Sequence, residues 1–454
     1  MKIIIVGAGE VGFHIASHLA LENKDVVVID SDPEAVRHVS DNLDVQTVSG
    51  SGSSPVILEE AGLKEAEIIL AVTDSDETNL VACLLSDIIS PTTKKLARLR
   101  NAGFDDFDLT FKEQGPHIDT LINPEIEVVK TIDRLMHMPG VVDIGEFADG
   151  RVKFVGIHLG EGAPVVNFKL SQISSGTGLN IPLVAAIIRN DKLIIPTGND
   201  KLCAGDTVYF ISEDNKLPEA LAAFGKHAEP VKRVLIVGGG RIGLRLARHL
   251  EQQPVYIKII EKDQDRCYLL ADRLNKAVVL HGDGSDRDLL REENIQDIDI
   301  IITLTNDEET NILTSLLAKK MGISKTITKI SKFSYLPLMS MIGLEQVVNP
   351  RLSAINSILQ HVRKGKVLSA ISIKGDEAEA LEAVAMETSD IVGKPLKDIS
   401  LPKGALITGI IHDDEIIIPS GSSMIKAGDR IIIFARKEAI PKIEAIMAVK
   451  LEFF

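Results

Sequence analysis

The chain has no tryptophan, four tyrosines and thirteen phenylalanines among its 454 residues, so aromatics make up only 4%. That is too few for a platform on which unpaired bases stack. Positive charge is also in short supply. Fifty Lys and Arg face 65 Asp and Glu, a formal net charge of −15. This argues against nucleic-acid binding through a general basic surface and leaves room for a local basic pocket. The three cysteines, Cys83, Cys203 and Cys267, are odd in number and share no metal or redox spacing. They exclude a disulfide framework and suit a reducing compartment. No run of about 18 apolar residues is present, so no membrane-spanning helix is expected. The N-terminal apolar run is only Ile3–Val6, too short for a signal peptide. No G-x-x-x-x-G-K-[ST] occurs, which disfavours ATP hydrolysis by a P-loop. Of the eleven scattered histidines, His14 and His18 are spaced i,i+4 on one expected helix. With no partner ligands nearby they read as helix-surface residues rather than a metal site.

What is present is concentrated in the first thirty residues. Lys2–Val6 is a short apolar run that ends in Gly7-Ala8-Gly9-Glu10-Val11-Gly12, a G-x-G-x-x-G. Gly7 permits a tight turn, Gly9 allows backbone to approach a pyrophosphate, and Gly12 lets the following helix pack close to the strand. The helix from Glu10 to about Leu21 aims free N–H groups and the positive end of its dipole at that phosphate. Asp30 ends the next expected strand, where a carboxylate can hold both hydroxyls of a ribose and repel a 2′-phosphate. The chain continues in a βα rhythm, with strands expected at Val45–Val48, Glu67–Val72 and Lys94–Leu99 and helices at Ser54–Ala61 and Asp76–Ile89. Such alternation implies a parallel sheet with helices on both faces. Ligands in such sheets sit outside the carboxyl ends of the strands, where Gly50-Ser51-Gly52, Thr73, Asp74 and Arg98 also fall.

Asn123-Pro124 opens a helix to about Met138 with Ile126, Val129, Ile132, Leu135 and Met136 on one face. It either packs on its own sheet or serves as a crossover or dimer helix. Residues 140–224 have another texture, with short β-branched segments separated by turns at Arg189-Asn190-Asp191 and Ala204-Gly205-Asp206. They predict a small α+β domain, followed by a linker at His227-Ala228-Glu229-Pro230.

At Val231 the pattern starts again. Gly238-Gly239-Gly240-Arg241-Ile242-Gly243 repeats the first glycine turn 231 residues on, and Glu261 stands 231 residues beyond Asp30. Gly282-Asp283-Gly284 repeats Gly50-Ser51-Gly52, Thr305-Asn306 repeats Thr73-Asp74, and Lys329 stands where Arg98 stood. Asn349-Pro350 repeats Asn123-Pro124, and the turn His412-Asp413-Asp414 echoes Arg189-Asn190-Asp191. So long a period means a tandem duplication rather than a solenoid. Each half presents a glycine turn, a ribose acid, a second glycine turn, a polar pair and a base. Ser51 and Asp283 could border an adenine, with Asp283 accepting from its amine, or be plain turn residues. Arg98 and Lys329 could neutralise phosphate or be solvated strand-end charge. The halves differ in the turn itself: Arg241 adds a charge-assisted phosphate contact, whereas Glu10 repels phosphate, so the two sites need not prefer the same nucleotide. A dehydrogenase would also need a proton donor at the nicotinamide, and the small domains offer mainly hairpin turns.

GAGEVG with Asp30, VTDSDETN at Val72–Asn79, GGGRIG with Glu261, LTNDEETN at Leu304–Asn311 and the paired I-I-P-[TS]-G and A-G-D turns resemble the RCK (KTN) family, in the tandem form found in Trk-type potassium uptake systems. The resemblance covers essentially the whole chain. It implies two Rossmann-like doubly wound parallel sheets, each followed by a small α+β domain. The expected boundaries are 1–123 and 231–348 for the nucleotide domains, 124–139 and 349–364 for crossover helices, and 140–226 and 367–454 for the small domains. It further implies a non-catalytic, cytoplasmic, peripheral subunit that binds NAD(H) and ATP or ADP. Such a subunit assembles as a homotetramer beneath a transmembrane potassium-translocating subunit of the TrkH/TrkG kind, with no nucleic acid and no direct membrane insertion. An NAD-dependent oxidoreductase with tandem Rossmann domains is the competing reading. By family pattern the sites are Gly7–Val11, Asp30, Thr73, Asp74 and Arg98, then Gly238–Ile242, Glu261 and the Thr305 region. Glu10 departs from the phosphate-contacting arginine and makes NAD(H) the more plausible ligand of the first half.

Overall fold

The computed structural model describes the chain except residues 23, 102, 105–109, 112–114, 116, 139, 174, 175, 177, 227–229, 324, 363–366, 374–376, 414 and 448–454. The expected linker at His227–Glu229 and the last residue of the turn at Asp414 lie outside the described residues. The described residues fall into two compact units, residues 1–127 with 350–365 and residues 128–349 with 366–454.

The first unit is a parallel sheet. Its strands are β1 (Lys2–Val6), β2 (Asp25–Asp30), β3 (Gln46–Ser49), β4 (Ile68–Ala71), β5 (Lys94–Arg98) and β6 (Thr120–Ile122), in the order β3-β2-β1-β4-β5-β6. The order reverses beside β1, so the carboxyl ends of β1 and β4 diverge into a crevice. The strands are short runs of Ile, Val and Leu because both faces are covered. Ile3, Ile4, Ile5, Ile29, Ile69 and Leu70 are fully buried, each contributing about 1.5–3 kcal/mol. The helices Glu10–Leu21, Pro33–Asn42, Pro55–Glu60 and Asp76–Ile89 connect the strands. Pro33 and Pro55 sit in the first turn, where their fixed φ is already helical. The helix Pro350–Val362 also belongs to this unit and packs against the helix Glu10–Leu21 and against β6.

The second unit begins with most of the helix Pro124–His137, which the sequence left between two placements. It is the crossover placement that occurs. Val128, Ile132, Leu135 and Met136 share an apolar cluster with Leu246 and Leu250 of the helix Arg241–Leu250. Asp133 Oδ1 accepts from Gln253 Nε2 at 2.8 Å and lies 3.2 Å from His249 Nε2. The sheet it covers repeats the first, with β12 (Arg233–Val237), β13 (Tyr256–Glu261), β14 (Val278–His281), β15 (Ile300–Thr303), β16 (Lys325–Lys329) and β17 (Gln346–Val348) in the order β14-β13-β12-β15-β16-β17.

The small domains are antiparallel. The first has β7 (Val141–Phe147), β8 (Val152–His158), β9 (Leu183–Arg189), β10 (Lys192–Ile194) and β11 (Thr207–Glu213), ordered β10-β9-β11-β8-β7. The sequence reading lacked β7, because Gly145 and the acidic Asp143 and Glu146 break its apolar alternation. Gly145 is there for packing: a Cβ would fall 1.8 Å from Ile371 Cδ1. The expected turn at Asn190-Asp191 is present, both residues at positive φ in a two-residue hairpin. The second small domain has β18 (Val367–Ile373), β19 (Ala378–Val384), β20 (Ala405–His412), β21 (Glu415–Ile417) and β22 (Arg430–Arg436) in the equivalent order. The two small sheets share one core, in which Phe154 stacks on Tyr209 and on Phe434 with ring centroids 5.7 and 6.0 Å apart. Phe434→Ala is expected to cost roughly 3–5 kcal/mol, read as a lowered urea midpoint.

Candidate functional site

The turn after β1 is built by steric exclusion. Gly7 has φ +115°, and a Cβ on Gly12 would lie 1.8 Å from the Gly7 carbonyl oxygen. Only glycine lets the helix start this close to the strand. A Cβ on Gly9 would meet no atom within 4 Å, so Gly9 borders open space. Gly52 lies against the end of β1, where a Cβ would be 2.0 Å from Val6 Cγ1. The second half repeats these values closely: Gly238 has φ +105°, and Cβ atoms on Gly243 and Gly284 would lie 2.1 Å from Gly238 O and Val237 Cγ1.

The helices around this turn divide into two kinds. Those starting at Pro33 and Asp76 are capped by their own sequence, Asp32 accepting from Glu34 N and Ser75 from Thr78 N. In the second half Asp263, Asp286 and Asp307 do the same. The helices Glu10–Leu21 and Arg241–Leu250 begin at Gly9 and Gly240 with no side-chain cap, and so does the short helix Pro55–Glu60 after Ser54. At the start of Glu10–Leu21 no capping side chain takes the first backbone N–H groups.

In the first unit these groups open onto a pocket of about 390 Å³, lined by Gly7, Gly9, Glu10, Val11, Asp30, Ser51, Gly52, Thr73, Asp74, Arg98 and Arg351 among others. Of the residues expected at the first half's site, all but Ala8 and Gly12 line it. Asp30 Oδ2 accepts from Ala8 N at 2.6 Å and Oδ1 from Asp32 N at 2.9 Å, which holds the carboxylate beside the turn. A carboxylate has further lone pairs to offer a ribose. Arg98 is not solvated: its side chain is 11% exposed, and Nη1 reaches Val72 O and Asp74 Oδ1, both at 3.4 Å. Burial, then the neighbouring Arg100, lower its pKa, and Asp74 and Asp76 raise it. Its Nε is buried without a partner, an unmet donor at the pocket wall.

Thr73 is less available than expected. Its Oγ1 lies 2.7 Å from Asn79 Oδ1, and its N–H donates to the same oxygen at 2.9 Å. The Asn79 amide then donates to Thr73 O and Arg98 O. Asn311 does the same for Thr305 N, Thr305 Oγ1, Thr305 O and Lys329 O. Both asparagines are fully buried. They tie the loop after the fourth strand to the end of the fifth, a positioning role that the sequence signalled only through the doubled T-x-x-x-x-x-N spacing.

In the second unit Glu261 takes the place of Asp30, accepting from Gly239 N at 2.7 Å and from Lys262 N and Asp263 N. Asp283 accepts from Ser285 N, Ser285 Oγ and Lys262 Nζ at 2.9, 2.7 and 2.9 Å. The Ser285 hydroxyl and Lys262 hold its pKa down to about 2. Lys329 is buried rather than solvated, with Nζ 3.4 Å from Asn306 Oδ1. Ile242 and Gly243 are buried at the start of their helix, where Arg241 is exposed. His18 corrects the sequence reading, since it is buried on the inner face of its helix, packed there by the same 3.6-residue period that buries Ile15 and Leu19.

Arg351 is the residue that sequence reasoning missed. It comes from the helix Pro350–Val362, 341 residues from Glu10, and its Nη1 donates to Glu10 Oε2. The repulsion expected from Glu10 is therefore compensated by a cation that only the fold brings near.

A family model for the TrkA-N domain matches residues 3–124 and 234–350, and one for the TrkA-C domain matches 154–225 and 381–448. The chain belongs to the TrkA family. It is 37% identical to the Trk system potassium uptake protein TrkA of Azorhizobium caulinodans and 38% identical to that of Halomonas elongata, each over 100% of both chains. Among solved structures it is similar to the GsuK RCK domain, with a TM-score of 0.58 at 19% identity over 98% of this chain and 94% of that one. It is likewise similar to the GsuK channel bound to NAD, with a TM-score of 0.58 over 98% and 78%. These likenesses establish the tandem Rossmann-like architecture with its antiparallel C-terminal domains. Among the described residues no helix is long and apolar enough to cross a membrane.

Asn79→Ala is expected to lower stability by roughly 1–3 kcal/mol by leaving buried groups of Thr73 and Arg98 unpaired, measured by urea unfolding. Asp283 has a depressed folded pKa, so its contribution is present above its ordinary pKa and lost as pH falls through about 2. The stability difference between the wild-type chain and Asp283→Asn should be flat above about pH 4 and shrink between pH 4 and 2, followed by urea titrations at each pH.

Proposed function

We propose that this TrkA-family chain is the nucleotide-sensing gating subunit of a Trk-type potassium uptake system. The observation that carries the reading is the uncapped start of the helix Glu10–Leu21, opening onto a pocket whose wall holds the buried, incompletely partnered Arg98. A dinucleotide fits these features. Its pyrophosphate would take the free N–H groups of Gly9–Gly12, its ribose would bond Asp30, and Arg98 would offset phosphate charge. NAD(H) is the proposed ligand of the first half, with Gly7, Ala8, Gly9, Glu10, Val11, Gly12, Asp30, Thr73, Asp74 and Arg98 forming the site. ATP or ADP is proposed for the second half, at Gly238, Gly239, Gly240, Arg241, Ile242, Gly243, Glu261, Asp283, Thr305, Asn306 and Lys329. A solved neighbour of the same fold, the GsuK channel, is described as bound to NAD, which supports the first assignment.

The lining of the first pocket contains no His, Lys, Tyr or Cys among the described residues. In the same unit, Cys83 on the helix Asp76–Ile89 is buried, and burial pushes its thiol up to about 12. This supports binding without hydride transfer. A bound nucleotide then acts only through its different affinity for two conformations of the chain. The proposed assembly is a homotetramer, peripheral on the inner face of the cell membrane. It would work on a transmembrane potassium-translocating subunit of the TrkH/TrkG kind and transmit the change through the helices Pro124–His137 and Pro350–Val362.

The test is potassium flux through the reconstituted membrane subunit with this chain added, in the absence of nucleotide and with NADH, NAD, ADP or ATP. Nucleotide-dependent flux, reduced at least several-fold by Asp30→Ala, is expected. Flux indifferent to every nucleotide, or oxidation of NADH by a metabolite, would overturn the reading.

A further inference from the structure

The first pocket has one wall that its own half of the duplication does not supply. Arg351 lines it, donates to Glu10 and sits in the first turn of a helix whose remaining length packs along the helix Glu10–Leu21. Glu10 itself stands at the uncapped helix start, where a phosphate would be drawn. The pair is half-exposed, with the Arg351 side chain 37% and the Glu10 side chain 51% accessible. Ion pairs this open hold by little, whereas a phosphate offers a guanidinium a bidentate, charge-assisted contact.

The sequence shows a matching difference in sign between the halves. The turn carries Glu10 in the first half and Arg241 in the second, while the residue after the helix-opening proline is Glu125 in the first half and Arg351 in the second. The first half thus carries an acid at both positions and the second a base at both, so the cation beside the acidic turn Glu10 is supplied by the second half's helix.

We propose that Arg351 is a phosphate ligand of the first nucleotide site, and that Glu10 is the intramolecular competitor that holds it when no phosphate is bound. The inference rests on the reading of this pocket as a nucleotide site and names the cation that makes its acidic turn serviceable. On binding, the Arg351 guanidinium exchanges the Glu10 carboxylate for phosphate oxygens. Because Arg351 belongs to the helix Pro350–Val362, the ligand then bridges the strand ends of the first sheet and that helix. The chemistry recognised is a diphosphate; adenosine alone gives Arg351 nothing to hold.

The experiment is calorimetric titration of the full-length chain with ADP, NADH and adenosine. The class of sites belonging to the first half is identified as the one that Asp30→Ala removes. In that class Arg351→Ala should weaken ADP and NADH roughly 10- to 100-fold, the range for losing a hydrogen-bonded charge contact, with adenosine changed less than about 2-fold. Arg351→Lys should recover part of the loss, because it restores charge but not the fork. Glu10→Gln should tighten ADP several-fold, an outcome that misfolding cannot imitate, and Glu10→Gln with Arg351→Ala together should not. Unchanged NADH and ADP affinity in both single variants, with the Asp30-sensitive class still present, would overturn this inference and leave the nucleotide site standing. Equal weakening of ADP and adenosine by Arg351→Ala would overturn it too, by showing a structural role. Absence of any Asp30-sensitive class would instead remove the underlying reading.

Discussion

The constraint on which this molecule depends is the contact between the third glycine of each turn and the carbonyl of the first. With a Cβ on Gly12 or Gly243 placed 1.8 or 2.1 Å from that oxygen, no other residue allows the helix to begin where it does. The placement has two results. It brings the helix flat against the central strand, which buries Val11, Ile15 and Leu19. It also leaves Gly9 and Gly240 as caps without side chains, so the helix dipole faces outward with its donors unspent. Packing and the open helix start are thus two consequences of one close approach, and neither can be altered without the other.

Around this fixed point the remaining polar groups are held by networks that do not themselves need a ligand. Asp30 and Glu261 bond the turn, and Asn79 and Asn311 bond the neighbouring loop. A site so preorganised loses little ordering entropy when occupied. Its unspent capacity lies in a small set of groups: helix N–H donors, carboxylate lone pairs and the guanidinium of Arg98.

Most of the sheets was legible because a buried parallel strand is a short run of β-branched residues ended by turn residues, as Lys2–Val6 and Arg233–Val237 both are. The glycine turns and acids were legible because their chemistry depends on spacing within one βα unit. What could not be read was anything set by distant chain. Arg351 meets Glu10 across 341 positions, and the destination of the helix Pro124–His137 depends on which apolar face accepts it. His18 misled because i,i+4 spacing marks one face of a helix without saying whether that face is inward. The strand Val141–Phe147 was missed because its alternation is interrupted by Gly145, which fits the side chain of Ile371 from the second small domain.

The helix Pro350–Val362 buries Ala354, Ile355, Ile358 and Leu359, yet ribosomal synthesis reaches it only after three of the four sheets have been made. The first sheet emerges before its covering helix exists, with part of the outer face of Glu10–Leu21 bare in the meantime. Completion of the earliest domain to leave the ribosome therefore waits on nearly the last quarter of the message. A nascent fragment ending between the halves would carry an adhesive apolar stripe, and the natural way to hide it is to borrow the same helix from another molecule.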